Sequence, residues 1–168
     1  MVQAKVTQAG SQLKVEGIFN APQMTVFRAY TDDTLLKQWW SPDGWETTTS
    51  QMDFREGGQW FYIMTCTDPE SETYGQTSSG LTTYSEIKAP ESYQFTDAFT
   101  DEAGNINEAM PLLKGSYQFE SLGTQTKVIN ITELNSPEEV KQLLDMGMIE
   151  GLEGTWRKLE RLLMTLTD

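Results

Sequence analysis

The stretch from Pro137 to Leu166 constrains this chain more than any other part of it. Ser136-Pro137-Glu138-Glu139 reads as a helix start, with Ser as N-cap, Pro at the first position and acids in the first turn. From there Val140, Leu144, Met148, Leu152, Trp156, Leu159, Leu163 and Leu166 recur at spacings of three and four. Such a helix, if continuous, runs roughly 45 Å. Its apolar side needs a surface to lie on, which the rest of the chain must supply. Gly147, Gly151 and Gly154 fall in its middle, each costing about 1 kcal/mol against Ala inside a helix. A kink, close packing against a sheet, or room left for a ligand each accounts for them. The apolar stripe rotates between Val140–Leu144 and Leu152–Leu163, which supports some bending.

The chain ahead of this helix is rich in strands. Gln12 to Phe19 alternates, with Leu13, Val15, Gly17 and Phe19 on one side. Pro22 to Tyr30 reads as a short helix, and Thr31-Asp32-Asp33 caps a second one running to about Trp39. A rigid Ser41-Pro42-Asp43-Gly44 turn follows. Trp45–Phe54 and Gln59–Thr67 are strands joined at Gly57-Gly58. Tyr74–Ile87 is a strand broken around Gln76–Gly80, and Ser92–Phe99 alternates again. After the long loop Thr100–Pro111, Leu113–Ser121 and Thr124–Leu134 pair as a last hairpin. The expected fold is therefore α+β, with an antiparallel meander whose one apolar face is covered by the terminal helix.

Composition excludes several classes of function. The chain has no histidine, which removes Ser-His-Asp and Cys-His nucleophiles and His-based metal sites. Cys66 is the only cysteine, so no internal disulfide forms, and its apolar strand makes it a buried small residue rather than a nucleophile. Twelve basic residues against 25 acidic ones give a formal charge of −13, which disfavours nucleic acid and anionic membranes as partners. No run approaches the roughly 18 apolar residues of a membrane span, and no signal peptide opens the chain, so a cytoplasmic location is expected. No metal, cofactor or catalytic set is expected.

Four motifs carry a resemblance. Val26-Phe27-Arg28-Ala29-Tyr30-Thr31 with Trp39-Trp40-Ser41-Pro42 resembles the opening of the SRPBCC (START-like, helix-grip) superfamily. The chain is most similar to homologues of the C-terminal domain of the heat-shock-protein-ninety ATPase activator. Asp53-Phe54-Arg55-Glu56-Gly57-Gly58-Gln59-Trp60 matches that family's hairpin, and Gly80 to Ile87 with Pro90-Glu91 its strand ending in a Pro-Glu turn. Gly151-Leu152-Glu153-Gly154-Thr155-Trp156 matches its closing helix. The resemblance implies a helix-grip domain over residues 1–168, with a core from about 12 to 166. A curved sheet of about six to seven strands, two short helices after the first strand, and an internal cavity under the terminal helix complete that expectation. The length leaves no room for the extra N-terminal domain of full co-chaperones.

Within that fold the aromatic group Trp39, Trp40, Trp45, Trp60, Tyr62, Tyr84, Phe95, Phe119 and Trp156 reads either as plain core or as the lining of a cavity. Met64, Met148 and Leu152 would be adaptable walls, and Tyr62 and Tyr84 would supply orienting hydroxyls. Asp53 and Arg55 read as an ion pair at the Gly-Gly turn, Arg28 as a surface charge, and Glu153 with Arg157 as a helix-surface pair. Asp97, Asp101 and Glu102 read as acids crowding a loop, in no EF-hand pattern. The first functional expectation is a binder of a hydrophobic or aromatic small molecule at Trp39, Trp45, Trp60, Tyr62, Met64, Tyr84, Phe95, Phe119, Met148, Leu152 and Trp156. The second is a chaperone-linked interaction module, with a stress-response role and possible edge pairing into a homodimer. The third is a carboxylate- or tyrosine-assisted, polyketide cyclase-like enzyme. A closed apolar cavity favours the first and a filled core with an exposed apolar patch the second. A buried acid of shifted pKa facing the cavity favours the third.

Overall fold

The computed structural model describes residues 2–166. Strands β1 (Lys5–Ala9) and β2 (Gln12–Phe19) lead into helices α1 (Gln23–Thr31) and α2 (Asp33–Leu36). Strands β3 (Trp45–Met52), β4 (Gln59–Cys66), β5 (Thr77–Lys88), β6 (Ser92–Thr100), β7 (Leu113–Ser121) and β8 (Thr126–Glu133) follow, then α3 (Pro137–Asp145) and α4 (Met148–Leu166). The sheet is curved, unclosed and antiparallel, in the order β1-β2-β8-β7-β6-β5-β4-β3. The meander from β3 to β8 is closed off by β2, which pairs with β8 from Gln12↔Glu133 to Phe19↔Thr126. Helices α1 and α2 make the crossing from β2 to the far edge at β3.

The alternation read in Gln12–Phe19 is real: Leu13, Val15 and Phe19 are fully buried. Gly17 shares that face because a Cβ there would lie 2.5 Å from the Trp156 ring. Trp156 in turn meets Phe19 edge-on at 5.1 Å. The sheet and α4 thus lock together where the strand has no side chain.

Strand β1 is one more than the sequence signals. All five of its residues are solvent-exposed, so no apolar alternation marks it; only the turn at Gly10 (φ +60°) and pairing such as Lys5↔Glu16 define it. Strand β5 runs unbroken through Thr77–Gly80, with its irregularity between Ser85 and Lys88. Helix α2 is shorter than expected, although Asp32 does cap it by accepting from the Leu35 N–H at 3.3 Å.

The terminal helix is two helices. Ser136 Oγ accepts from the Glu139 N–H at 3.2 Å, and Glu139 Oε1 accepts from the Asn135 N–H at 2.9 Å, which fixes the start of α3. Gly147, at φ +84°, ends that rod, and α4 begins beyond it. The three glycines have three different causes. Gly147 makes the break. A Cβ on Gly154 would meet the Asp43 backbone N at 3.1 Å, so this position admits the turn after α2. Gly151 meets nothing closer than the Pro42 Cβ at 3.9 Å and faces the space beneath the helix. A Gly147→Ala variant is expected to lose about 1 kcal/mol, because a Cβ is strained in the left-handed region. Urea unfolding checks this; an unchanged midpoint would mean the break relaxes without cost.

Candidate functional site

Strand pleating determines what faces the helices. Because alternate residues share a face, β4 turns Trp60, Tyr62 and Met64 inward, and β5 turns Thr82 and Tyr84. Strand β6 adds Tyr93, Phe95, Asp97 and Phe99, β7 adds Leu113 and Tyr117, and β8 adds Asn130 and Thr132. Opposite them stand Tyr30 of α1, Leu36, Trp39, Trp40 and Pro42 from the crossing segment, and Met148, Gly151, Leu152, Thr155 and Trp156 of α4. A pocket of about 280 Å³ remains between the two walls. Native interiors are otherwise packed as densely as organic crystals.

One acid reaches this pocket. Asp97 lies directly across from Thr82 in the β5–β6 ladder, and Thr82 Oγ1 donates to its Oδ1 at 3.1 Å. Tyr62 comes from one strand further away and donates its hydroxyl to Oδ1 and Oδ2 at 3.4 and 3.3 Å. That reach requires Gly80, the β5 residue paired with Tyr62. A Cβ there would lie 2.3 Å from the Tyr62 hydroxyl oxygen, so the ring lies over a strand position that offers no side chain. Trp60 stacks on Tyr62 at 4.3 Å and is fixed by its indole N–H, which donates to Ser50 Oγ at 2.9 Å.

Burial dominates the electrostatics. It lifts the Asp97 carboxyl to about 7, against the stabilising hydrogen bonds from Thr82 and Tyr62. No Lys or Arg is among the residues lining the pocket. Burial also pushes the phenols of Tyr30, Tyr62, Tyr84, Tyr93 and Tyr117 above the ordinary tyrosine range, and Asp97 adds to this for Tyr62, Tyr84 and Tyr117. These groups therefore act as hydrogen-bonding phenols, never as phenolate bases near neutral pH. The Tyr30 hydroxyl is buried and has no hydrogen-bond partner among the described residues. Asp97 is the group here that can exchange a proton near neutrality.

Nine of the eleven residues expected at the site line the pocket: Trp39, Trp60, Tyr62, Met64, Tyr84, Phe95, Met148, Leu152 and Trp156. Trp45 and Phe119 do not. Trp45 starts the edge strand β3 and is partly exposed, whereas Phe119 is packed among Phe27, Tyr30 and Tyr93. Asp97 is the consequential omission. It sits on β6, apart from Asp101, whose carboxylate instead closes its own loop by accepting from the backbone N–H groups of Ala103 and Asn105. The alternation Tyr93, Phe95, Asp97, Phe99 already placed this acid on the inward face.

Other sequence features turn out to be structural. The Gly57-Gly58 turn docks on β5 through Gly57 N–H to Tyr84 O and Tyr84 N–H to Gly58 O, both at 2.9 Å. A Cβ on Gly58 would lie 2.0 Å from the Asp53 carbonyl. Asp53 and Arg55 pair at 2.6 Å in solvent. Arg28 is exposed. Arg157 pairs with Asp43, which Gly154 allows to approach, and not with Glu153 as the helical spacing suggested. Cys66 is buried, and the Thr73 hydroxyl that donates to its sulfur lowers the thiol pKa. Among the described residues, no helix is long and apolar enough to cross a membrane.

Comparison with known proteins gives the family. Protein Ms6760 from Mycobacterium smegmatis, a crystal structure, is 28% identical over 97% of both chains with a TM-score of 0.84. A solution structure from Arthrobacter aurescens is 25% identical over 96% of this chain and 91% of that one, with a TM-score of 0.85. An AHSA1 protein from Silicibacter pomeroyi shares the fold at 24% identity and a TM-score of 0.68, over 92% of this chain and 98% of its own. No curated protein matches the chain. The model of the family described as Activator of Hsp90 ATPase homolog 1-like protein matches residues 20–164, and the chain belongs to that family.

Proposed function

We propose that the protein binds a hydrophobic or aromatic small molecule between the sheet and helix α4. The observation that carries this reading is the 280 Å³ pocket walled by Trp39, Trp40, Trp60, Phe95, Tyr117 and Trp156. Most of the pocket lining is apolar, and apolar surface left in contact with water forgoes the burial that stabilises a domain. Space of this kind is better understood as a site. Its volume is at the lower end of small-molecule pockets, which suits a compact ligand with about one or two rings. Burial of apolar surface at roughly 25 cal/mol per Å² would drive binding.

A second reading, a tyrosine- and carboxylate-assisted enzyme, is favoured by Asp97, an acid with a pKa of about 7 facing the pocket. It lacks a second proton-exchanging group, because the phenols around it stay protonated. The interaction-module reading draws its support from the family description alone. The exposed large apolar side chains, such as Val6, Met24, Tyr74 and Met164, come from separate elements.

Native mass spectrometry before and after adding lipids, flavonoids and polyketide-like compounds tests the proposal. A stoichiometric adduct of unchanged ligand mass is expected. An adduct or released product of altered mass would transfer the assignment to the enzyme. An unliganded spectrum throughout, where a known binder of this fold holds its ligand, would overturn the binding reading.

A further inference from the structure

The polar end of the pocket specifies the ligand further. Asp97 receives hydrogen bonds from two neutral hydroxyls, those of Tyr62 and Thr82. A carboxylate has about four acceptor positions, so the contacts from Tyr62 and Thr82 leave capacity for a further donor. No cationic side chain lines that space to balance the charge. The side chains that line the pocket with Asp97 are instead largely aromatic. Trp60 stacks on Tyr62, and Phe95, two residues before Asp97 on the same face of β6, lies against Tyr117 at 5.2 Å. Ring faces attract cations, more strongly when the cation is desolvated. The formal charge of −13 also raises the concentration of cations around the molecule.

Resting on the pocket reading above, we infer that the ligand is a lipophilic amine, its ammonium group against the Asp97 carboxylate and its apolar body among the rings of Trp60, Tyr62, Phe95 and Tyr117. The ammonium supplies both the missing counter-charge and the missing donors. Carboxylate-bearing ligands are repelled by the same group. Burial is what makes Asp97 hold its proton up to about pH 7, and an ammonium at the site opposes that by favouring the carboxylate. The titratable groups around Asp97 are phenols: Tyr62 from β4, Tyr84 from β5, Tyr93 from β6, Tyr117 from β7 and Tyr30 from α1. The lining residues of α4 carry no ionisable group. The pH dependence of amine binding therefore belongs to Asp97.

Displacement of the neutral fluorophore N-phenyl-naphthylamine by phenylbutylamine, phenylbutanol and phenylbutanoate tests this with one skeleton and three head groups. At about pH 8 the amine is expected to bind about tenfold or more tighter than the alcohol, and the carboxylate weakest. Alkylamines remain protonated throughout this range, so a roughly tenfold weaker amine affinity at about pH 5.5 reads protonation of Asp97. In Asp97→Asn the amine advantage and its pH dependence are expected to vanish while alcohol binding persists. If the alcohol or carboxylate matches the amine, or the amine advantage survives in Asp97→Asn, the inference is wrong. If the fluorophore binds and no amine displaces it, the inference falls and the pocket reading stands. If neither the fluorophore nor any of the three phenylbutyl compounds forms a complex, the compounds being checked directly by native mass spectrometry, both fall.

Discussion

An Asp97→Asn variant is expected to be more stable than the parent protein at about pH 8, by up to about 4 kcal/mol. The unfolded chain releases the Asp97 proton near its ordinary value of 3.8, whereas the folded protein holds it up to about 7 because burial penalises the charge. Between these values the folded state binds more protons than the unfolded state, so stability falls as pH rises across the window. The gap, at roughly 1.36 kcal/mol per pH unit, gives the figure. Asparagine keeps an oxygen for the Thr82 and Tyr62 hydroxyls and carries no charge. Urea unfolding of both proteins from about pH 4 to about pH 8 would show their stabilities nearly equal at the acid end and diverging toward neutrality. Parallel curves would mean that water or local rearrangement solvates Asp97 in the folded state. The difference between the two proteins isolates this group from the other acids of the chain.

The second large effect concerns Trp39. This residue is 1% exposed, its indole N–H donates to the Ala29 carbonyl at 2.9 Å, and its ring meets Tyr30 at 4.7 Å and Trp40 at 5.7 Å. It ties helix α1 to the crossing segment and also walls the pocket. Truncation to alanine is expected to cost about 3–5 kcal/mol, a large part of the total stability of a domain. The lost ring leaves a cavity continuous with the pocket, and the Ala29 carbonyl loses its partner. Trp39→Phe should recover most of the packing and retain the hydrogen-bond deficit of about 1–3 kcal/mol. Denaturant unfolding followed by near- and far-ultraviolet circular dichroism would measure both. A loss below about 1 kcal/mol in Trp39→Ala would show that the wall collapses inward, which would also shrink the pocket. Trp45→Ala, at a partly exposed edge position, is expected to cost less than Trp39→Ala, because little buried contact is lost.

Much of this architecture is legible in the chain because the signals are local. Period-two patterns in β2 and β6 and the period-three-to-four pattern of α4 identify those elements and their inward faces, whereas the continuous apolar run of β4 marks a strand without telling its faces apart. The motif Asp53 to Trp60 marks a hairpin in which Gly57 supplies a positive φ and Gly58 a close approach to the Asp53 carbonyl. Strand β1 is not legible, because an edge strand exposed on both sides carries no apolar alternation. Neither is the division of the terminal helix into α3 and α4, since a glycine in a helical pattern serves equally for a break, a close contact or open space.

The sequence by itself determined the composition of each face and the class of fold, since these depend on alternation, caps and turns within about a dozen residues. Only the tertiary structure decided which inward residues meet one another. Tyr62 and Asp97 lie on different strands, 35 positions apart, and are joined because Gly80 leaves the strand between them bare. Phe119 and Trp60 are both inward-facing aromatics, yet one fills the core and the other walls the pocket. Where that pocket opens depends on the curvature of the sheet and on where α4 lies across it, and both arise from contacts between residues distant in the chain.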